Sequence, residues 1–181
     1  GNVASGLAKT TDGGSSWNFF GNFPTGGVNV FSPDGTLIIA LVNAFTSPSQ
    51  SISSQSIVYR STDAGLSWAS TIVSGVLLSN MEFCNSTTGY VSGYANIKYT
   101  SDAGLNWSTI PYPTTEISIV KSFPVAQTLH TYLVGASGGM HYTSNNGINW
   151  VLLPYNNYSS YINTFDKFNN EIVCVGGRGV I

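Results

Sequence analysis

Short apolar runs of five to seven residues recur along the 181-residue chain, each closed by Gly, Ser, Thr, Asn or Pro. Four of them, TLIIALV (36–42), GYVSG (89–93), TYLVG (131–135) and EIVCVGG (171–177), show neither strict polar alternation nor a helical period. That pattern predicts strands covered on both faces. Upstream of each lies a second candidate strand: VNVFS (28–32), NMEFC (80–84), EISIV (116–120) and YINTF (161–165). Abundant Ser, Thr, Val and Tyr, with Gly and Pro as punctuation, disfavours helix throughout. The expected fold class is all-β.

Between these strands one polar string repeats. It reads KTTDGGSSW (9–17), RSTDAGLSW (60–68), YTSDAGLNW (99–107) and YTSNNGINW (142–150). A hydroxyl, an acid or amide, a glycine and a tryptophan keep their offsets while neighbouring positions drift. The four sets are Thr10, Asp12, Gly14 and Trp17; Ser61, Asp63, Gly65 and Trp68; Thr100, Asp102, Gly104 and Trp107; Thr143, Asn145, Gly147 and Trp150. The Trp positions 17, 68, 107 and 150 are spaced by 51, 39 and 43 residues, a period that suits a four-stranded unit with tight turns. Turn chemistry accounts for every kept position. The Asp accepts backbone N–H groups ahead of it. The hydroxyl adds a local bond, the glycine takes a left-handed conformation, and the Trp opens the next strand and buries its ring. Asn145 keeps an acceptor but loses the charge, an exchange that a turn cap survives and a metal ligand or catalytic acid does not.

The pattern Ser/Thr-x-Asp-x-Gly-x-x-Trp resembles the Asp-box, or BNR repeat. Families using it include sialidases, xyloglucan-type glycoside hydrolases, sortilin-like receptors, propeller lectins and the photosystem II assembly-factor group. The resemblance implies a β-propeller of four-stranded antiparallel blades, with the boxes on the blade periphery and away from any ligand site. It implies architecture and not activity. The expected organisation is one propeller domain or segment of about four blades. Residues 1–22 are the end strands of a blade, 23–74, 75–113 and 114–156 are blades, and 157–181 is an incomplete blade. Aligned on the boxes, Ile181 matches Met140 and Ile97, so the sequence ends inside a third strand. Two readings follow: further blades of the same polypeptide, which the higher blade numbers of the family favour, or a small ring closed by the N-terminal strands.

Composition changes the picture by exclusion. A net charge of −2 with six Lys and Arg leaves no electrostatic footprint for nucleic acid or an anionic membrane. The longest apolar stretch, LIIALV (37–42), is far too short for a membrane-spanning helix. Cys84 and Cys174 are either one bridge or two buried thiols, with no Cys/His cluster around them, so neither metal nor cofactor is expected.

In such a blade the boxes share one end with the turns between first and second strands. The opposite end carries the links between second and third strands and between blades, and loops on a rigid scaffold are where binding sits. Three links stand out. NAFTSPSQSISSQS (43–56) is an insertion, while PYPTTE (111–116) and PYNNYSSY (154–161) are equivalent inter-blade connections. They supply the candidate binding residues Tyr112, Glu116, Tyr155, Asn156, Asn157, Tyr158 and Tyr161, whose rings and amides suit sugar or peptide surfaces.

Catalysis is poorly supplied. A sialidase-like site needs three arginines, and only Arg60 and Arg178 are present. A two-carboxylate glycosidase needs an opposed acid pair. Outside the boxes stand Asp34, Glu82, Glu116, Asp166 and Glu171, of which only Glu116 lies on the inter-blade end. Neither His130 nor His141 sits in a triad motif. The basic patch expected of the assembly-factor group is also missing. Sequons at Asn85, Asn106 and Asn157 mark candidate glycosylation sites, although a chain this rich in Asn, Ser and Thr generates them by chance. The expectation is a non-catalytic, secreted or cell-surface recognition or scaffold propeller that binds protein or glycan. The alternatives are part of a glycoside hydrolase propeller, or a structural subunit of a surface assembly.

Overall fold

The computed structural model describes residues 5–23, 28–45, 54–75, 77–93, 96–112, 117–125, 128–135, 139–154, 162–169 and 171–176. These residues form strands and turns and contain no helix. They fall into two compact units, Gly1–Leu77 and Leu78–Ile181.

The first unit opens with a hairpin of β1 (Ser5–Lys9) and β2 (Asn18–Phe23). A four-stranded antiparallel sheet follows, in the order β3 (Val28–Phe31), β4 (Ile38–Phe45), β5 (Ser54–Ser61), β6 (Ala69–Ser74). The second unit holds two such sheets: β7 (Leu78–Phe83) to β10 (Ser108–Thr109), through β8 (Gly89–Gly93) and β9 (Asn96–Thr100), and β11 (Ile117–Val125) to β14 (Val151–Leu152), through β12 (Thr128–Gly135) and β13 (Met140–Thr143). A last hairpin pairs β15 (Ile162–Phe168) with β16 (Glu171–Gly176). Every neighbour in a sheet is also the next strand in sequence, which is an up-and-down meander.

Burial follows position in the sheet. Second strands lie deepest: Ile38 to Val42, Gly89 to Gly93 and Thr131 to Val134 are all buried. Their unbroken apolar runs have no solvent face to supply with polar residues. Fourth strands have one neighbour only and are mostly exposed, and β10 and β14 are just two residues long. Pro111 and Pro154, which have no N–H to donate, close those short strands.

In the first unit Phe23, Ala40 and Val42 form a core with Leu7, Tyr59 and Trp68 packed on it. Phe23 meets the Trp68 ring edge-on at 5.2 Å between centroids. The second unit has two cores. Tyr90, Ile97, Val120 and Leu133 join its two sheets, and Tyr132, Val134 and Met140 meet Ile162 and Phe165 of the last hairpin. Each fully buried aliphatic contributes about 1.5–3 kcal/mol. Cys84 packs on the first of these cores and Cys174 on the second, and both are free thiols.

Candidate functional site

The four acid–glycine–tryptophan turns each join a third strand to a fourth, and their hydrogen bonds repeat closely. The Thr or Ser hydroxyl donates to the acid or amide oxygen at 2.8, 2.7, 2.8 and 2.8 Å. The same hydroxyl oxygen accepts the glycine N–H at 2.8, 2.8, 3.0 and 3.1 Å. The Asp or Asn oxygen accepts the backbone N–H four residues on, from Ser16, Ser67, Asn106 and Asn149, at 2.9 to 3.0 Å. In the three acidic copies the second carboxylate oxygen takes a further bond, from Ser16 Oγ, Ser67 Oγ or Asn106 Nδ2. Asn145 has an amide NH2 where that oxygen would be and cannot accept there.

These bonds fix the electrostatics. The Ser16 and Ser67 hydroxyls, with their backbone N–H groups, hold the carboxyls of Asp12 and Asp63 down at about 2. The Asn106 backbone and amide do the same for Asp102, in direction. Each acid is an ionised cap engaged by its own turn.

Two features of these turns had no sequence signal. Besides the glycine, the residue directly after the acid is left-handed: Gly13 (φ 70°), Ala64 (60°), Ala103 (59°) and Asn146 (57°). Alanine carries no mark of that conformation. Its N–H is thereby aimed at the turn between first and second strands: Ala64 N–H donates to Thr36 carbonyl at 2.9 Å, and Ala103 N–H to Thr87 carbonyl at 2.8 Å. Those partner turns are capped in turn. Asp34 accepts the N–H groups of Thr36 and Leu37, and Asn85 those of Thr87 and Thr88. Asp34 is held low by these bonds, and the Asn106 amide is engaged with Asp102.

The tryptophans correct the expectation of uniform burial. Trp68 and Trp107 are half-buried and donate Nε1–H to the glycine carbonyl of their own turn, at 3.0 and 3.1 Å. Trp150 reaches the Pro111 carbonyl at 2.8 Å instead. Trp17, however, is 55 % exposed. The rings that cover Trp68 are Phe20 and Phe23 of the preceding hairpin, and the described residues offer Trp17 no such hairpin.

The opposite end of the second unit's first strands has its own repeat. A bulge interrupts β7 between Leu78 and Asn80, β11 between Ile117 and Ile119, and β15 between Ile162 and Thr164. The extra residues of the bulges are Ser79, Ser118 and Asn163, and a glycine (Gly93, Gly135, Gly176) stands across from each bulge. Asn163 and Thr164 are exposed, and Asn80 Nδ2 donates to Ser79 Oγ at 3.2 Å. Bulges re-aim side chains and mark places where function gathers. Further along these strands the half-buried Glu82 is raised by desolvation and accepts a backbone bond from Ser122. Lys121 Nζ lies 5.6 Å from the centre of the Phe165 ring. Burial also pushes the Cys84 thiol up to about 11, which keeps it protonated and inert.

Of the candidate binding residues, Tyr112 is half-buried and packs on the core of Tyr90, Ile97, Val120 and Leu133. Glu116, Tyr155, Asn156, Asn157, Tyr158 and Tyr161 lie outside the described residues. Among the described residues no group of three His, Cys, Asp or Glu is placed to hold a metal ion.

No protein-family model matches this chain, and no curated protein matches it. Among solved structures it is similar to "YCF48 bound to D1 peptide", at 18 % identity and a TM-score of 0.50, over 70 % of this chain and 45 % of that one. The chain thus spans less than half the length of that neighbour. With its successive four-stranded antiparallel sheets, the chain has the fold of a β-propeller segment of about four blades.

Proposed function

We propose that this chain is a segment of an Asp-box β-propeller that serves as a non-catalytic recognition scaffold for polypeptide, secreted or displayed at a cell surface. The observation that carries the reading is the division of labour within the β7–β10 sheet, whose fastened turn recurs in other sheets and whose bulge recurs in β11 and β15. At one end of that sheet Asp102 caps its own turn, as Asp12, Asp63 and Asp34 each cap theirs in the first unit. At the other end β7 bulges at Ser79, and β15 of the last hairpin carries the same bulge at the small polar residue Asn163. A rigid fastened end and a polar, irregular end suit a scaffold that binds through its links. The solved neighbour carries a bound peptide, which supports a polypeptide partner over a glycan. With six Lys and Arg and a net charge of −2, this chain lacks a strong positive field, so its partner need not be acidic.

The test is parallel screening of the chain on extended-peptide and glycan arrays, followed by Asn163→Ala and Thr164→Ala on any hit. Peptide binding that weakens at least tenfold in these exposed variants supports the reading. Glycan binding alone, binding indifferent to both substitutions, or polysaccharide turnover by the parent chain overturns it.

A further inference from the structure

The fourth fastened turn differs from the other three in one chemical respect. The residue after its amide cap is Asn146, where the other copies carry Gly13, Ala64 and Ala103. Gly147 follows it, and this is the one Asn–Gly pair in the sequence. Such a pair is prone to lose ammonia, because glycine has no side chain to hinder its backbone nitrogen from approaching the asparagine amide carbon. Asn146 is exposed, and its side-chain amide makes no hydrogen bond among the described residues.

The fold opposes that reaction in two ways. Asn146 is left-handed, at φ 57°. This conformation pairs with a ψ of about +47°, which sets the following nitrogen nearly opposite Cβ across the Cα–C bond. Ring closure needs that nitrogen and Cβ on the same side. The Gly147 N–H is also engaged, donating to Thr143 Oγ1 at 3.1 Å.

The turn is held in this state from outside. Gly147 is buried, and a Cβ there would collide with Ile110 at the end of β10. Trp150 ties the same turn to the Pro111 carbonyl at 2.8 Å. Rotation about the Asn146 Cα–C bond therefore requires the turn to undock and its fastener to open. Local openings of this kind cost less than global unfolding.

We propose that Asn146 is a modification site gated by this turn, inert while the turn is fastened and converted to an aspartyl or isoaspartyl residue when it opens. In the open turn the Gly147 nitrogen attacks Asn146 Cγ and gives up its proton. The bond from Cγ to the side-chain nitrogen breaks, and ammonia leaves with that proton. Water then opens the cyclic imide at either carbonyl, and no further reactant is needed. The isoaspartyl product carries an extra main-chain methylene between Thr143 and Gly147. The fastener then cannot re-form in its present register, so one opening leaves a permanent chemical record.

Incubation at mildly alkaline pH, followed by peptide mass mapping across residues 142–150, tests this. The folded parent should deamidate at Asn146 at least about tenfold more slowly than the same chain in urea. Thr143→Val removes the hydroxyl that holds Gly147, and Ile110→Ala removes the surface on which the turn docks. Each should speed the reaction severalfold in folded protein, whereas Thr143→Ser should match the parent. Circular dichroism reports whether each variant is folded; where one is not, the comparison of the parent with the urea-unfolded chain decides. Equal rates in the folded parent and the unfolded chain overturn the proposal. So does a rate that neither folded variant raises.

Discussion

The backbone N–H of Ala103 donates to the carbonyl of Thr87 at 2.8 Å, tying the fastened turn of one sheet to the turn between its first and second strands. Ala64 and Thr36 repeat the tie in the first unit at 2.9 Å. Both alanines take positive φ to make it. A left-handed alanine costs about 1–2 kcal/mol, so the tie is made against local strain. Ala64→Gly keeps the N–H and relieves the strain. It should raise stability by about 0.5–1 kcal/mol in denaturant titration, after allowing for the extra freedom of glycine in the unfolded chain.

The turn glycines should differ from one another in a fixed order. Gly14 and Gly65 are both left-handed, at φ 96° and 93°. A Cβ on Gly14 would meet nothing closer than Trp17 at 3.9 Å, while one on Gly65 would stand 2.6 Å from the Phe20 ring. Gly14→Ala should cost the conformational term alone, about 1–2 kcal/mol. Gly65→Ala should add an overpacking cost of about 1–3 kcal/mol. Equal losses in paired thermal melts would contradict the docking of that turn on Phe20.

Tryptophan truncations should follow the same geography. Trp68→Ala removes an edge-on contact with Phe23 and a ring over the first unit's core, at about 3 kcal/mol. Trp17→Ala, at a site 55 % exposed, should cost under about 1 kcal/mol. Denaturation midpoints of the two variants decide this directly.

Acid should loosen the fasteners. Asp12, Asp63 and Asp102 have folded-state values below the ordinary carboxylate range, so the unfolded chain binds protons more readily. Their stabilisation is present above about pH 4 and is lost as the pH falls through the ordinary range towards about 2. Glu82 acts in the opposite sense. Burial raises it, so its contribution is present below the ordinary glutamate value and is lost as the pH rises through the raised one. Asp63→Asn should flatten the acid limb of a stability–pH profile, while Glu82→Gln should leave that limb and raise stability near neutral pH.

Much of the architecture was legible because it is written locally. The unbroken runs at GYVSG and TYLVG became buried second strands, and the upstream runs became first strands. The turn bonds could be anticipated because a hydroxyl, an acid and a glycine at fixed offsets admit few geometries. What stayed hidden depends on neighbours. Nothing in Ala64 or Ala103 announces a positive φ, since the surrounding turn imposes it. The exposure of Trp17 depends on which strand lies beside it, and the bulges at Ser79 and Asn163 arise from pairing across to Gly93 and Gly176. Tyr112 reads as a surface ring in sequence and is packed on a core, because aromatic residues serve both purposes equally well.

The fastened turn also bears on how the chain folds. The bonds of its hydroxyl and its acid or amide span four residues or fewer, as from Thr100 to Gly104 and from Asp102 to Asn106. Closing so small a loop carries little entropic penalty, and hairpins close in about 1–10 μs. The third and fourth strands of each sheet can thus come together while distant parts of the chain remain unstructured. Sheets then grow outward from several independent nuclei, so slow steps fall to the docking of sheet on sheet. Kinetic φ-values near one at Thr100 and Asp102, with values near zero at Tyr90 and Val120, are the expected signature of that order.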